Sequence, residues 1–262
     1  MTRERLLPPH FSRTLLTIAL PIILQNLMQS LVNMLDTIMV GQLGAVAIAA
    51  VGLGNQVFFL LNMILFGISS GAAIFVAQYW GKRDIAGVRR TLGLALTLAA
   101  VVATLFMLAA MIAPYFLIGL YSNDPLVIQE GGKYLQLVAI SYPITAISFV
   151  YAQAFRSTEH VRLPMVATLI SLTANAILNY LLIFGMGFFP AMGVQGAAVA
   201  TVVSRTIELI ILMGIGYKKK YEAAANLREI LSFDTGFAGR YMRVALPVII
   251  NETLWGLGIT LQ

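Results

Sequence analysis

Long apolar stretches with almost no charged residues restrict the folds that this sequence can adopt. A helix crosses about 30 Å of hydrocarbon in about 20 residues, and stretches of that length recur along the chain. Charged residues make up only 11% of the sequence, whereas a soluble domain carries about 25%. We therefore predict an all-α polytopic membrane protein whose main surroundings are membrane lipids. Seven spans are predicted: Leu15–Val40, Ile48–Tyr79, Leu92–Ala113, Tyr134–Phe155, Leu163–Phe184, Gly193–Tyr217 and a stretch from Met242 to Gln262.

The basic residues lie almost entirely on one side of these spans. The chain has 17 Lys and Arg residues, and all but two of them precede the first span or follow the second, fourth or sixth span. Arg156, for example, follows the fourth span. The two exceptions are Lys133 and Arg205. The positive-inside rule then predicts a multi-pass protein of the cytoplasmic membrane with a cytoplasmic N-terminus. The net charge of +6 is a consequence of this topology, so nucleic-acid binding is not expected.

Catalytic and metal-binding motifs are missing from the sequence. It contains no cysteine and only two histidines, which argues against a thiolate or histidine metal site. It has no phosphate-binding loop, no His-Glu-x-x-His and no Gly-x-Ser-x-Gly. We therefore expect a protein that is not an enzyme, that does not use ATP and that has no cofactor apart from Na⁺ as a coupling ion.

An internal repeat divides the chain. The Ala-Leu-Pro at 19–21 recurs at 245–247, and each lies at the same distance from a preceding phenylalanine, Phe11 or Phe237. Chance recurrence is the alternative to a true repeat. Six spans separate the two copies, so the repeat is parallel. We predict a six-helix lobe at 1–217, a cytoplasmic connector at 218–239 and the first helix of a second lobe at 240–262. The chain is expected to be a fragment whose partner is the missing C-terminal lobe.

Polar side chains within the spans recur at helical spacing. Packing through hydrogen bonds between helices and a water-lined cavity are the alternatives. Packing is favoured for the second span. The cavity is favoured for the first, because Asp36 is ionisable and its own span contains no Lys or Arg. The three sets are Asn26, Gln29, Asn33 and Asp36 in the first span, Asn55, Asn62 and Ser69 in the second, and Thr168, Ser171, Asn175 and Asn179 in the fifth.

Four of the polar groups are predicted to lie at one depth. Counting about 1.5 Å per residue from the outer ends of their helices places Asp36, Asn175, Asn179 and Thr201 in one layer of the outer half of the membrane. A carboxylate, two amide oxygens and a hydroxyl suit a Na⁺ site, or the carboxylate alone could carry a proton.

Three further ionisable groups lie within spans. Arg205 and Glu208 are three residues apart on one helix, so we predict a structural ion pair between them. Glu252 has no obvious local partner, and an intramembrane carboxylate indicates a functional site by default. A carboxylic acid that is hydrogen-bonded across the lobe interface is the alternative for Glu252.

Six groups of residues form a recognisable set of motifs from about residue 11 to the end. They are Ala19-Leu20-Pro21, the run from Asn33 to Gly44, Gln78-Tyr79-Trp80-Gly81-Lys82, Asn175 with Asn179 and Gly185, Gly193-Val194-Gln195-Gly196-Ala197-Ala198, and Ala245-Leu246-Pro247 with Glu252. Together these motifs resemble the multidrug and toxic compound extrusion (MATE) family, in its NorM-like branch.

The resemblance implies a twelve-helix antiporter of two lobes. Such proteins export organic cations, drugs and other toxic amphipathic compounds, driven by the inward flow of Na⁺ or H⁺. The resemblance makes Asp36 the coupling carboxylate, assigns Asn175, Asn179 and Thr201 to the same cation site, and associates Glu252 with cation binding in the second lobe. The polar residues predicted to line the substrate cavity are Asn26, Gln29, Asn33, Asn55 and Asn62.

Two alternatives to an exporter remain. A lipid-linked precursor flippase of related fold needs cationic residues inside its cavity, and the sequence offers only Arg205 there. A non-transporting membrane scaffold requires that Asp36, Asn175 and Asn179 can all become apolar with no effect beyond stability.

Overall fold

The computed structural model describes residues 11–187, 189–230 and 233–260, without the side chains of residues 11–22, 227–228 and 259–260. The side chains of the first Ala-Leu-Pro motif and the terminal Gln262 thus lie outside the described residues. Within the described ranges the regular secondary structure is entirely helical, which confirms the predicted fold class. The helices are α1 (Phe11–Gly41), α2 (Ala45–Gly81), α3 (Ile85–Ile112), α4 (Pro114–Gly119), α5 (Pro125–Ala139), α6 (Ser141–Ser157), α7 (Arg162–Phe184), α8 (Val194–Lys218), α9 (Leu227–Ile230) and α10 (Thr235–Thr260).

Several of these helices are long and apolar enough to cross a membrane. By length and composition α2, α3, α7 and α8 qualify singly, and the bent pair α5–α6 qualifies as one further span. Helices α1 and α10, with 31 and 26 residues, have the length that a crossing needs. Large apolar side chains such as Ile112, which is 81% exposed, face outwards, as lipid contact requires.

The fourth predicted span is not a single helix. The chain bends by 48° between α5 and α6, so the span predicted at Tyr134–Phe155 consists of parts of two helices. Pro143, at the third position of α6, has no amide hydrogen for the carbonyl group of Ala139, which is the last residue of α5. Proline also clashes with that carbonyl group, so it ends the first helix there.

Three polar segments meet at one end of the bundle. At the start of α3, the guanidinium Nε of Arg89 donates to the carbonyl oxygen of Glu222, 3.0 Å away. In the turn between α6 and α7, Nε2 of His160 lies 3.7 Å from a carboxylate oxygen of Glu222. Glu222 belongs to the connector between α8 and α9. The start of α3, the turn between α6 and α7 and this connector therefore lie together at one end of the molecule, which we call the basic end.

Helix α10 packs directly against α2. A Cβ atom on Gly67 would lie 2.6 Å from Cα of Ile249, and one on Gly71 would lie 2.6 Å from Cβ of Ala245. Only glycine permits backbones to approach so closely, as at other contacts between membrane helices. The phenolic hydroxyl of Tyr241 also donates to the carbonyl oxygen of Ile68 at 2.6 Å.

Candidate functional site

A cavity of about 1080 Å³ lies between α1, α2, α5, α6, α7 and α8. Its wall is rich in hydroxyl, amide and charged groups, although the helices that form it are apolar overall. All five residues that the sequence predicted as cavity lining are on the wall: Asn26, Gln29, Asn33, Asn55 and Asn62.

The polar face of α1 forms one side of this cavity. Asn26, Gln29, Asn33 and Asp36 follow one another at intervals of three or four residues, which puts them on one face of a helix, and all four line the wall. The side chain of Gln29 donates from Nε2 to Oδ1 of Asn33 at 2.9 Å. This face is therefore turned towards the cavity and not towards lipid.

Asp36 meets the polar face of α7. The amide nitrogen of Asn179 donates to a carboxylate oxygen of Asp36 at 2.6 Å and to Oδ1 of Asn175 at 3.3 Å. Both asparagines are buried, with Asn179 only 2% exposed. Its carbonyl oxygen Oδ1 is buried and accepts no hydrogen bond from any described residue. The cluster thus contains a carboxylate beside an amide oxygen whose hydrogen-bonding capacity is unused.

Helix α8 completes this layer. The amide nitrogen of Asn175 approaches Oγ of Ser204 at 3.4 Å, and Ser204 in turn donates to the carbonyl oxygen of Thr201 at 2.9 Å. Thr201 lines the cavity, but its own hydroxyl donates to the carbonyl oxygen of Ala197 one turn earlier. Asp36, Asn175, Asn179 and Thr201 therefore occupy one region, although the threonine hydroxyl is engaged by its own helix.

A close contact between α7 and α8 positions these groups. A Cβ atom on Gly196 would lie 2.6 Å from the carbonyl oxygen of Leu182, so glycine is needed where the two helices meet. Helix α7 ends just beyond this contact at Gly185, whose φ of 71° is a left-handed conformation that favours glycine. The close approach brings the polar face of α7 within reach of Ser204.

A second cluster of polar side chains lies nearer the basic end. Arg205 and Glu208 form the predicted ion pair, with nitrogen and oxygen 2.9 Å apart. The other carboxylate oxygen of Glu208 accepts from the Thr168 hydroxyl at 2.8 Å, and that hydroxyl accepts from the Gln25 amide at 3.1 Å. All four residues line the cavity, so the pair borders the cavity and is not enclosed in packing.

The interpretation of the second span as packing through hydrogen bonds is wrong for Asn62. Its amide donates to the carbonyl oxygen of Phe58 in the same helix at 3.1 Å. Asn55 does link two helices, since it accepts from the hydroxyl of Tyr134 at 3.2 Å. Both asparagines and Ser69 line the cavity, so α2 presents polar groups to the same space as α1.

Arg156 is a cavity residue that the sequence analysis placed outside the membrane span. It lies in the last turn of α6 and lines the cavity. A signal was present, because polar residues recur at intervals of three to five residues along α6 and end at this arginine. The polar residues of α6 on the cavity wall are Ser141, Thr145, Ser148, Gln153 and Arg156.

Glu252 is not brought together with the other predicted site residues. It is half-buried on α10 and is not part of the cavity wall. Within the described part of the chain, no three His, Asp or Glu side chains cluster in a way that would hold a metal ion.

The fold and the cavity define a class: a multi-pass helical membrane protein with a polar chamber between its helices. The MatE family model matches residues 21–181, which is more than half of the chain, and the chain belongs to this family.

Relatives and solved structures agree with this assignment. The chain is 34% identical over 248 residues to the probable multidrug resistance protein NorM of Rhizobium meliloti, covering 93% of this chain and 52% of that one. It is 30% identical over 255 residues to the FAD transporter of Shewanella oneidensis, covering 95% and 56%. Its fold resembles an outward-facing multidrug resistance MATE transporter of the MOP superfamily, with a TM-score of 0.79, 24% identity and coverage of 90% and 51%.

The chain spans about half the length of the curated relatives it matches. This share is consistent with one lobe of a two-lobe protein.

Proposed function

We propose that the complete protein exports drugs and other toxic amphipathic compounds across the cytoplasmic membrane. Export is driven by inward movement of Na⁺ or H⁺ in an alternating-access cycle, and Asp36 is the coupling carboxylate. The observation that carries this proposal is the hydrogen bond between Asp36 and buried Asn179 at the wall of a large cavity. Family membership supports a transport role for that cavity.

The size and lining of the cavity support the binding of an organic molecule. Pockets for drug-sized ligands enclose roughly 300–1,000 Å³ and combine apolar walls with a few polar groups. The cavity of about 1080 Å³ has Phe58, Phe59 and Phe66 on its wall beside the asparagines of α1 and α2. These aromatic rings suit the apolar body of an amphipathic compound, and Asp36 suits its cationic group.

The residues around Asp36 fit a coupling cation. Na⁺ would be held by oxygen atoms from Asp36, Asn175, Asn179 and Thr201, since hard cations prefer carboxylate, carbonyl and hydroxyl oxygens. The unused Oδ1 of Asn179 is an acceptor of the required kind. A proton on Asp36 is the alternative, because a partly buried carboxylate can be neutralised in place.

The orientation that we propose follows from the basic residues. With the basic end in the cytoplasm, Asp36 lies in the outer half of the membrane. One charge moving inward through 100 mV releases about 2.3 kcal/mol, so binding at Asp36 from outside can bias the cycle. We propose that Glu252, which lies outside this cavity, acts with residues of the second lobe.

Asp36→Asn in the complete transporter tests the proposal. This variant keeps the shape of the side chain but removes the charge, so dye efflux should be abolished with no loss of expression. Asp124→Asn is the matched control, because Asp124 is an exposed helix cap and asparagine caps about equally well. Wild-type efflux by the Asp36→Asn variant would show that Asp36 does not couple transport.

The same assay separates the exporter from a membrane scaffold. Simultaneous replacement of Asp36, Asn175 and Asn179 by leucine should eliminate efflux if these residues bind the coupling ion. If the wild-type protein drives no efflux and the triple variant differs from it only in stability, the scaffold alternative is supported. Intact efflux by the triple variant would instead show that these three residues do not bind the coupling ion.

The flippase alternative gains one observation from the structure. The objection was that Arg205 is the only cationic residue available inside the cavity, but Arg156 also lines the wall. Arg205 is paired with Glu208, so on the described cavity wall Arg156 is the arginine that a pyrophosphate would meet without an ion-pair partner. Multidrug export remains the better-supported function, since a pyrophosphate carries more charge than one arginine balances.

A further inference from the structure

Two polar clusters lie at different depths of the same cavity. The outer cluster contains Asp36 of α1 and Asn179 of α7, and the inner cluster contains Gln25 of α1 and Thr168 of α7. On both helices the two members are eleven residues apart, which corresponds to about 16 Å along the helix. The equal spacing on two packed helices shows that the cavity extends in depth with distinct chemistry at its two ends.

Charges of both signs line this cavity. The carboxylates of Asp36 and Glu208 and the guanidinium groups of Arg205 and Arg156 all belong to its wall. Arg205 pairs with Glu208 at 2.9 Å and also acts electrostatically on Asp36. The negative group at the outer end and the positive group next to the basic end therefore give the cavity a polarity.

Arg156 has donors that the described protein does not use. Glu208 attracts Arg156 electrostatically, but one oxygen of Glu208 is bound to Arg205 and the other to Thr168. The Nε of Arg156 is buried without a hydrogen-bond partner among the residues that the structure describes. In that part of the chain Arg156 also forms no ion pair, whereas Arg205 does.

A buried guanidinium N–H group without a hydrogen-bond partner is energetically unfavourable. Guanidinium groups match the planar oxygens of carboxylates and phosphates and bind them through two parallel hydrogen bonds. Arg156 at the wall of the cavity is therefore suited to receive an anionic group from a molecule that enters.

We propose that Arg156 is an anion subsite and that the transporter accepts zwitterionic amphiphiles. Their cationic group lies towards Asp36, and their carboxylate or phosphate binds Arg156. Their apolar body contacts Phe58, Phe59 and Phe66 on the cavity wall. This inference deepens the export function proposed above and rests on it. The anionic group belongs to the small-molecule cargo, and an anionic lipid headgroup at Arg156 is an alternative that the experiment separates.

The test compares two dyes that differ in one charge. The full-length transporter is reconstituted in vesicles of phosphatidylcholine alone, and uptake is measured for a rhodamine with a free carboxylate and for its methyl ester. The first dye is a zwitterion and the second a cation. We expect Arg156→Gln to reduce transport of the zwitterion about tenfold, as befits one lost charge-assisted hydrogen bond, and to leave transport of the ester unchanged.

Two further variants provide the controls. Arg156→Lys should restore part of the zwitterion transport, because lysine keeps the charge but not the paired donors. Arg162→Gln should affect neither dye, because Arg162 is an exposed cation close to Arg156 in sequence and is not on the cavity wall. Transport of the ester reports folding in every variant.

The outcomes distinguish this inference from the proposed function. If the wild-type protein transports neither dye, the proposed export function fails. If it transports the ester but not the zwitterion, or if Arg156→Gln reduces both dyes equally, the anion subsite is wrong while export stands. If the effect of Arg156→Gln on the zwitterion appears only when anionic lipid is added to the vesicles, Arg156 binds a lipid headgroup and the cargo assignment is overturned.

Discussion

Helix α7 and helix α2 are held to their neighbours by different means. On the cavity side, α7 contacts α1 and α8 through polar side chains, such as Asn179 with Asp36 and Ser171 with the carbonyl oxygen of Ser204 at 2.8 Å. The contact of α2 with α10 depends on Gly67, where the absence of a side chain lets Ile249 approach closely.

The two kinds of contact differ in how easily they can rearrange. A hydrogen bond in a wet cavity can be exchanged for one to water, an ion or a substrate, so a polar contact can rearrange at modest cost. A small-residue contact has no alternative partner and depends on shape alone. We therefore expect the α2–α10 contact to determine stability and the α1–α7–α8 contact to determine transport.

The largest effect on stability is expected from Gly67→Val. The new side chain would begin 2.6 Å from the backbone of Ile249, so α10 must move away from α2. Overpacking of this kind costs roughly 1–3 kcal/mol, and a β-branched side chain lies at the upper end of that range. Thermal unfolding of the complete protein in detergent measures the loss.

Gly52→Ala is the matched control for that variant. Gly52 is in the same helix, and its added methyl group would meet nothing within 4 Å. Alanine favours the helix by about 1 kcal/mol relative to glycine, so this variant should unfold at the same or a higher temperature. Equal unfolding temperatures for Gly67→Val and the unchanged protein would contradict the proposed role of the contact.

A smaller loss of stability, with complete loss of transport, is expected from Asn179→Leu. The variant removes the hydrogen bonds to Asp36 and Asn175, but water from the cavity can replace part of them. Asp36, the acceptor left behind, is only half-buried, so water can solvate it and the lost hydrogen bond costs about 1 kcal/mol. Unfolding temperature and dye efflux should be measured on the same preparation.

Thr173→Val controls for the loss of a polar group on α7. Thr173 is exposed, and its hydroxyl donates only to the carbonyl oxygen of Leu169 in its own helix. The unfolding temperature and the dye efflux of the Thr173→Val variant should match those of the unchanged protein. Should Asn179→Leu keep its efflux, the polar contact serves stability alone and the distinction between the two regions fails.

The smallest effect is expected from Glu229→Gln, which breaks a polar contact at the surface of the basic end. Glu229 pairs with Arg89 at 2.6 Å, but exposed ion pairs contribute little. The amide hydrogen of Asn226 and the Arg89 guanidinium hold the pKa of the Glu229 carboxyl below its ordinary value of 4.5.

The sign of the pH dependence follows from that lowered pKa. The folded protein favours the carboxylate, so the contribution of Glu229 to stability is complete above pH 4.5 and is lost as the pH falls through the lowered pKa. Unfolding measured between neutral and acidic pH should show the unchanged protein and Glu229→Gln converging in acid. A constant difference at all pH values would exclude the carboxylate as the cause.

The polar face of α1 was predictable because helical periodicity acts within one segment. The spacing of three and four residues puts Asn26, Gln29, Asn33 and Asp36 on one face of a helix. Polar side chains are costly in contact with lipid, so such a face indicates a cavity or a neighbouring helix. The layer around Asp36 followed from counting residues along three helices. No similar rule showed that Thr201 would donate to Ala197 in its own helix, since a hydroxyl can satisfy itself locally.

Arg156 shows where sequence reasoning was insufficient. Basic residues near span ends normally indicate the cytoplasmic surface, and that rule assigned Arg156 to a loop. The bend between α5 and α6 and the continuation of α6 to Ser157 turn it into a wall residue instead. Glu252 was predicted to be functional because it is an intramembrane carboxylate, and the resemblance associated it with cation binding in the second lobe. The structure places it outside the cavity.

The sequence by itself determined the membrane as solvent, the helical class and the polar faces, because each depends on composition or on local periodicity. Only the tertiary structure decided which faces meet. It brought Asn179 to Asp36, placed Arg156 and Arg205 on one cavity wall and packed α10 on Gly67. Contacts of this kind depend on how helices distant in sequence cross one another, and no property of a single helix specifies that arrangement.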